Sequence, residues 1–516
     1  MLLLIFVLFW SALIFYNFYW KRRNLPPGPI PLPILGNVLT IARQKSCYGA
    51  FLQWQKQYGP VYTFWMAEQP VVAITDYKTI KETFIQDGDT YAGRNMFNEH
   101  MKLMRDGNIN GVILPEGDEW RENRRFALQA LREFGMGKSE AEAKILIESD
   151  YLIDSLKKEL KSGIVEHNMI KWIDLAVGSI INQLLFGYRF SGGNEEEFET
   201  LKKVLDDIMV SFAYPAVTTV VFWPALRKFP IFSSAFRRIK QLNDRNDNFV
   251  KAQIKEYTTK FEAEGLADTK EGLPFVGSYL RAKQQSNGKV NDGSILFRDD
   301  ALLHFCLDLW NAGQETTSTT LSFAILYLLL DVDVQSKMQK ELDSVVAADE
   351  KVIIAHKSRL PYTNAVINEI QRMCNLLPQN LYHRTMRDVE LNGYLLPKTT
   401  NVVPQISCVL LDEKIFPEPH RFKPERFLDK NDQLLKVEEL IPFSIGKRIC
   451  LGESLARMEL FLLIANIFHT FQVRPVDPLN PPTAEKIPGF TVRPAPYKVR
   501  LELRHSSNGY TMSNGH

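Results

Sequence analysis

The sequence predicts a mainly α, α+β protein with a small β-rich part, a large helical part and one transmembrane helix in front of both. Three observations carry this. An uncharged apolar run opens the chain at Met1–Trp20, two β-rich runs lie between Val61 and Thr75, and from Trp120 onward apolar residues recur mainly at helical spacing. With 516 residues, 45% apolar and 24% charged, the chain can bury a large core, while length alone leaves one to three domains open. Lys and Arg total 62 against 60 Asp and Glu, a net charge of +2, so no overall field draws nucleic acid to it. The five cysteines, Cys47, Cys306, Cys374, Cys408 and Cys450, are odd in number and lack CxxC spacing. That argues against a disulfide scaffold and against a cysteine zinc site.

Residues 1–20 read as the anchor. They carry no charged side chain, place Trp10, Tyr16, Tyr19 and Trp20 as interfacial aromatics, and at about 1.5 Å per residue span about 30 Å of bilayer. Lys21, Arg22 and Arg23 come next and nothing basic precedes, which leaves the bulk of the chain in the cytosol. A cleaved secretory peptide is the competing reading; the missing basic lead and the bulky aromatics at the cleavage end weaken it. Residues 21–37 form a basic, Pro-rich hinge in which Leu25-Pro26-Pro27-Gly28-Pro29-Ile30-Pro31-Leu32-Pro33 cannot be helical and reads as a stiff spacer.

Val61–Trp65 and Val71–Thr75, parted by Glu68-Gln69-Pro70, predict a hairpin, and Asp76 predicts an N-cap for a short helix. The polar stretch Gly265–Arg298 reads as a surface loop. Ala301–Leu330 is the longest helical pattern, opened by Asp299-Asp300 and ended by Asp331. Asp308, Gln314 and Glu315 interrupt it, so a helix through the centre of a large domain is preferred over a second span. Residues 506–516 read as a disordered tail.

The strongest local signal is Phe443-Ser444-Ile445-Gly446-Lys447-Arg448-Ile449-Cys450-Leu451-Gly452, with a helical pattern after it from Glu453 to Phe468. Cys450 then precedes a helix N-terminus, where the dipole and free N–H groups lower a thiol's pKa and favour the metal-ligating thiolate. Gly446 and Gly452 bare the backbone for a tight turn or a flat ligand, Arg448 could neutralise an anionic edge of that ligand, and Phe443 could pack beside the sulfur. A tight loop before an ordinary helix is the plain alternative. Glu369 and Arg372 share a helix face at i, i+3, a weak signal alone. Pro424-Glu425-Arg426-Phe427 lies downstream. Ala312-Gly313-Gln314-Glu315-Thr316-Thr317 puts a glycine in a helix interior, at a cost of about 1 kcal/mol relative to Ala. The glycine suggests a reason to keep the backbone bare, Thr316 can bond back to a carbonyl, and Glu315 can carry protons.

The loop resembles the haem-binding loop of the cytochromes P450, F-x-x-G-x-R-x-C-x-G, at every fixed position, and the other motifs are similar to that family's in the same order. The resemblance runs from the hinge through Tyr394-Leu395-Leu396-Pro397 to the C-terminal strands, which implies the haem-thiolate fold with residues 38–505 as one monooxygenase domain. It implies haem b as cofactor, with Cys450 as iron ligand, Thr316 and Glu315 as the catalytic pair, and a groove for dioxygen and a water at the bare backbone of Gly313. Trp120, Arg124, Arg94, His383 and Arg448 would meet the haem propionates, and Glu369, Arg372 and Arg426 would form a buried structural network. Thr399 departs from the family, which commonly has Gly after Pro-Lys in that turn.

By family position the pocket walls would include the Met96–Leu114 loop, Phe212, Leu309, Ala312, Leu376–Leu381 and Phe490, chiefly apolar and suited to a fatty acid, steroid or foreign compound. The implied activity is hydroxylation or epoxidation with dioxygen and NADPH-derived electrons. The implied partners are NADPH–cytochrome P450 reductase, with cytochrome b5 as a further donor, and membrane lipid, at the endoplasmic reticulum. Arg121, Arg125, Arg132, Lys138 and Lys447 would face an acidic reductase; a generic basic surface is the alternative. A haem-thiolate isomerase or dehydratase and a non-enzymatic haem sensor are the rival functions, and NADPH consumption with reductase separates them.

Overall fold

The computed structural model describes residues 1–44, 48–94, 97–105, 107–135, 139–268, 272–285 and 297–505. Cys47, Met96, Lys138 and the tail 506–516 lie outside the described residues. Helix α1, Leu2–Phe18, carries its apolar side chains exposed, and together with the short turn to Arg22 it is long and apolar enough to anchor the chain in a membrane. The end of this helix and the turn after it are bound to the domain. Asn17 Nδ2 donates to Pro31 O (2.8 Å) and Arg22 Nη2 to Gly28 O (2.8 Å), while Lys21 pairs with Glu68 at 2.7 Å and lies over the Trp65 ring. The Pro-rich hinge packs along the first strand so closely that a Cβ on Gly28 would sit 1.8 Å from Thr63 O.

Strands β1 (Val61–Met66) and β2 (Gln69–Ile74) form the expected antiparallel hairpin, with Ala67 (φ 52°) and Glu68 at the turn. Asp76 caps helix α2 (Tyr77–Lys81), accepting from Thr79 N at 2.9 Å. The chain then turns helical: α3 (Gly117–Glu133), α4 (Ser139–Lys161), α5 (Met169–Phe186), α6 (Glu195–Ser211) and α7 (Pro230–Ala263). α5 has the length and hydropathy of a membrane span, but 78% of that stretch is buried inside the protein.

The reading of Gly265–Arg298 as a loop is corrected by α8, Phe275–Gln285. Phe275 and Tyr279 are fully buried and meet Phe126 and Phe305 edge-on or tilted, with ring centroids 5.7–6.2 Å apart. Polar neighbours in sequence hid an apolar face whose partners lie far away along the chain. Helix α9, Asp299–Leu330, runs 32 residues through the core as expected, but its N-cap is Arg298. Asp300 falls inside the first turn, the position where negative charge meets the positive end of the helix dipole. Asp331 ends α9 and caps α10 (Val332–Val345), accepting from Val334 N at 3.1 Å.

Helix α11 (Pro361–Cys374) leads to strands β3 (His383–Arg384) and β4 (Asn401–Pro404); β4 pairs parallel with β2 and antiparallel with β3, giving the sheet order β1-β2-β4-β3. Thr399 keeps the left-handed conformation (φ 77°) of a turn in which Gly was expected. A β-branched residue is strained there; its N–H bond to Thr385 O, 2.8 Å, helps hold it. Helix α12 (Glu453–Thr470) and the antiparallel pair β5 (Phe471–Pro475) and β6 (Val499–Leu503) complete the domain.

Glu369 and Arg372 on α11 are fully buried and paired through two bonds of 2.7 and 2.9 Å. Arg372 also donates to Leu410 O and Pro419 O, and Glu369 takes Arg426 Nε (3.1 Å) and Lys423 N (2.9 Å). The network ties α11 to the irregular segment between β4 and α12. Glu369→Gln leaves two guanidiniums facing a neutral amide, so it should destabilise the fold by about 3–5 kcal/mol, the range for breaking a buried pair. Arg421→Ala, at an exposed pair, should leave the unfolding midpoint in place. Equal midpoints for Glu369→Gln and the parent would contradict this.

Candidate active site

Loop 443–452 is wound by short bonds: Ile449 N to Gly446 O (3.1 Å) and Cys450 N to Phe443 O (3.0 Å). Gly446 is required by contact and by conformation, because its φ is 80° and a Cβ would meet Phe84 O at 1.8 Å. Gly452 differs. Its φ is ordinary, and a Cβ there would meet nothing within 4 Å, since it borders a cavity. That cavity, with about 1840 Å³ of atom-free space partly open to solvent, is walled by α9, α11, α12, loop 443–452 and the segment after Gly111.

Cys450 opens its sulfur to the cavity interior. Burial raises its pKa, against the N–H groups of Gly452 and Glu453 and the charge of Arg124, which lower it. The expected lowering by the helix terminus is therefore present but outweighed in the protein alone: desolvation, a tertiary effect, dominates.

Arg94, Arg124 and Arg448 face the same cavity, with Trp120 and His383. Arg94 donates to Tyr382 O (2.9 Å), Arg124 to Ile449 O (2.7 Å), and Arg448 to Ala92 O (2.9 Å) and Pro115 O (2.6 Å), with its guanidinium 3.9 Å from the Trp120 ring centroid. Every one of these acceptors is a neutral carbonyl. Among the described residues none of the three guanidiniums pairs with a carboxylate. Burial and mutual repulsion push Arg94 down to about 10 and Arg448 down to about 8. Trp120 Nε1 is buried with no acceptor among the described residues.

His383 Nδ1 lies 2.7 Å from Tyr91 O, an acceptor only, so it carries the proton. Burial, then Arg94, hold its pKa far below the ordinary value; Nε2 becomes a donor only when an anion beside it restores the second proton. A buried cationic cluster, an orphaned N–H and an open sulfur fit a flat ligand with an anionic edge, as haem is.

Across the cavity, Thr316 Oγ1 donates to Ala312 O at 2.6 Å, the expected backward bond, in a helix that stays continuous. Gly313 borders the cavity beside Ala312 and Thr316, and a Cβ on it would also meet the Ile181 side chain of α5, at 2.6 Å. Glu315 does not line the cavity. It points to α6, 3.5 Å from Lys202 Nζ, and accepts from Thr319 and Thr491 at 3.3 and 3.2 Å; burial raises its pKa despite Lys202. Neighbours in sequence are about 100° apart on a helix, which sends 315 and 316 to different sides.

Of the expected walls, Val112, Ile113, Leu309, Ala312, Leu376, Leu377 and Leu381 line the cavity. Phe212 and Phe490 do not; their rings pair with each other, centroids 5.3 Å apart. Two acids were missed as site residues. Asp308 takes Val112 N (2.9 Å), Ile113 N (3.0 Å) and Arg105 (3.1 Å), clasping the cavity's loop to α9. Its signal was a lone acid in an apolar helical run. Glu459, on α12, lines the cavity fully buried; neither oxygen completes a hydrogen bond, and burial pushes its pKa up to about 8 despite the nearby Thr317 hydroxyl.

At the protein surface Arg121 pairs with Asp118 and Asp89, and Lys447 with Asp89, whereas Arg125 and Arg132 are exposed and form no ion pair among the described residues.

The chain matches the family described as "Cytochrome P450" over residues 26–501. Cytochrome P450 2G1 of Oryctolagus cuniculus is 33% identical over 490 residues, 94% of this chain and 95% of that one. Cytochrome P450 2C25 of Mesocricetus auratus is 34% identical over 503 residues (96% and 98%), and cytochrome P450 2H1 of Gallus gallus 33% over 480 (93% and 94%).

The raised pKa of Glu459 carries a sign. The folded chain binds that proton more tightly than the unfolded one, so the group subtracts stability as pH rises from its ordinary 4.5 through about 8. Glu459→Gln should flatten the fall of the thermal midpoint across that window. Parallel midpoint curves for parent and mutant would show that the carboxyl ionises freely.

Proposed function

The chain belongs to the cytochrome P450 family, a haem-dependent monooxygenase acting on lipophilic molecules, and we propose that Cys450 is its thiolate iron ligand with haem b in the cavity described. The observation that carries this is one cavity onto which the Cys450 sulfur and three guanidiniums without carboxylate partners both open. Bound haem supplies the activation of dioxygen by two electrons, so that one oxygen atom enters the substrate and the other leaves as water.

The chain's own residues do the rest. Trp120 N–H, Arg94, Arg124, Arg448 and His383 bind the propionates, and the anionic charge relieves the repulsion among the cations. Glu369, Arg372 and Arg426 take no part in chemistry; they hold the segment that leads into loop 443–452. Phe443 covers the sulfur's surroundings and stacks against Arg457, whose guanidinium is 4.8 Å from its ring. Val112, Leu309, Ala312 and Leu376 present apolar surface, which favours a lipophilic substrate and excludes water. Hydroxylation or epoxidation of a fatty acid, steroid or foreign compound is the reaction this arrangement serves.

Thr316 holds a proton at Oγ1 beside the oxygen-binding side of the cavity. Glu315 lies behind it, beside Lys202 and Thr491, and acts as a proton store; the raised pKa favours that role, and transfer to the cavity requires its side chain to turn. Electrons come from NADPH through cytochrome P450 reductase, with cytochrome b5 as a further donor, docking on the face that carries Arg125 and Arg132. Residues 1–20 hold the enzyme at the endoplasmic reticulum membrane, catalytic domain toward the cytosol.

Thr316→Ala tests the proton assignment. With reductase and one accepted substrate, the mutant should bind haem and consume NADPH near the parent rate, while product per NADPH falls and hydrogen peroxide rises. Loss of one positioned proton donor costs about 100-fold or more in the productive step. Unchanged coupling would remove Thr316 from the mechanism. Haem uptake without any NADPH-dependent product, across lipids and drugs, would favour a haem sensor or isomerase.

A further inference from the structure

Away from the cavity, three segments distant in sequence meet beyond the end of α12. Asp343 lies in the last turn of α10, His469 in the last turn of α12, and His505 just past β6. One carboxylate oxygen and one nitrogen of each ring all lie within 4.8 Å of one another. Asp343 Oδ1 is 3.7 Å from His469 Nδ1 and 3.5 Å from His505 Nε2. A tetrahedral zinc ion with bonds of about 2.0–2.2 Å spaces its ligand atoms about 3.3–3.6 Å apart.

The surrounding hydrogen bonds leave the ligating atoms available. His469 Nε2 is 3.0 Å from Ala347 O, a carbonyl that can only accept, so Nε2 carries the proton and Nδ1 presents a lone pair. His469 is 3% exposed, and its Nδ1 is buried with no hydrogen-bond partner among the described residues. Arg504 Nη2 binds Asp343 Oδ2 at 2.6 Å and leaves Oδ1 to the two imidazoles; its Nη1 donates to Phe468 O and His469 O. Ligands oriented in this way, a histidine by a carbonyl and a carboxylate by a donor, are how proteins preset metal sites.

We propose that Asp343, His469 and His505 form a zinc site, with water as the fourth ligand, that clamps the end of β6 to α10 and α12. Two imidazoles and a carboxylate suit zinc. The positive charge of Arg504 opposes the dication, so the site binds more weakly than a closed cysteine site. Because the ligands come together only in the folded chain, binding adds to folded stability. The site lies apart from the oxygen chemistry, so substrate turnover does not depend on it.

The full-length untagged holoenzyme, stripped with a chelator and freed of it, is dialysed against micromolar zinc sulfate, and bound zinc is counted against haem. One zinc per chain is expected, with an unfolding midpoint that rises with zinc. His505→Ala and Asp343→Asn should keep the parent's haem content and weaken zinc binding about 10-fold or more, by analogy with lost metal-site contacts. His420→Ala, an exposed histidine elsewhere, should keep both zinc and the midpoint rise. Absence of bound zinc in the parent would reduce the cluster to a His505–Asp343 ion pair. Zinc retained unchanged in both ligand variants would place the ion elsewhere; either result overturns the proposal.

Discussion

Three guanidinium groups around one cavity, two buried and one half-buried, with no carboxylate partner among the described residues, set the terms for the rest of the structure. Like charges in a low-dielectric interior repel strongly, and bonds to neutral carbonyls compensate only part of the cost. Arg448 is the most perturbed, its pKa pushed down to about 8. An occupant with two anionic groups turns this unfavourable cluster into a binding site. The scaffold is arranged to deliver the cations: α3 carries Trp120 and Arg124, the strand edge at β3 carries His383, and loop 443–452 carries Arg448 two residues before Cys450. Specificity for a ligand with a thiolate-binding centre and an anionic rim is built into that spacing.

Glu369, Arg372 and Arg426 present the opposite case. There the buried charges are matched within the protein, each with several bonds, and no ligand is needed. One cluster is closed and structural; the other is left open on the side that faces the cavity. The acids show the same division. Asp308 is satisfied by two backbone N–H groups and Arg105, whereas Glu459 is buried beside only the Thr317 hydroxyl, and burial pushes its pKa up to about 8.

Features set by neighbours in sequence were legible before the structure. The Asp76 cap, the hairpin between Val61 and Thr75, the long helix ending at Asp331 and the loop before Cys450 each depend on residues a few positions apart. Features set by distant partners were not. Helix α8 is defined by Phe126 and Phe305, which no local pattern in Gly265–Arg298 could supply. That the Ile181 side chain of α5 lies opposite Gly313 could not be read from the sequence. The motif around Glu315 and Thr316 was readable as a motif, but not which of the two faces the cavity, since that depends on how α9 is rotated against α5 and α6. The lowering of the Cys450 pKa by the helix terminus was legible because it is local; the burial that opposes it is not.

The central claim, that Cys450 supplies the axial thiolate, is tested most directly by the absorption spectrum of the reduced, carbon-monoxide-bound protein. The parent should show the red-shifted Soret band of a thiolate-ligated haem, and Cys450→Ala should lose that band even where it retains haem, because no other residue of loop 443–452 offers an anionic sulfur. A Cys450→Ala protein that keeps the thiolate-type band would contradict the account.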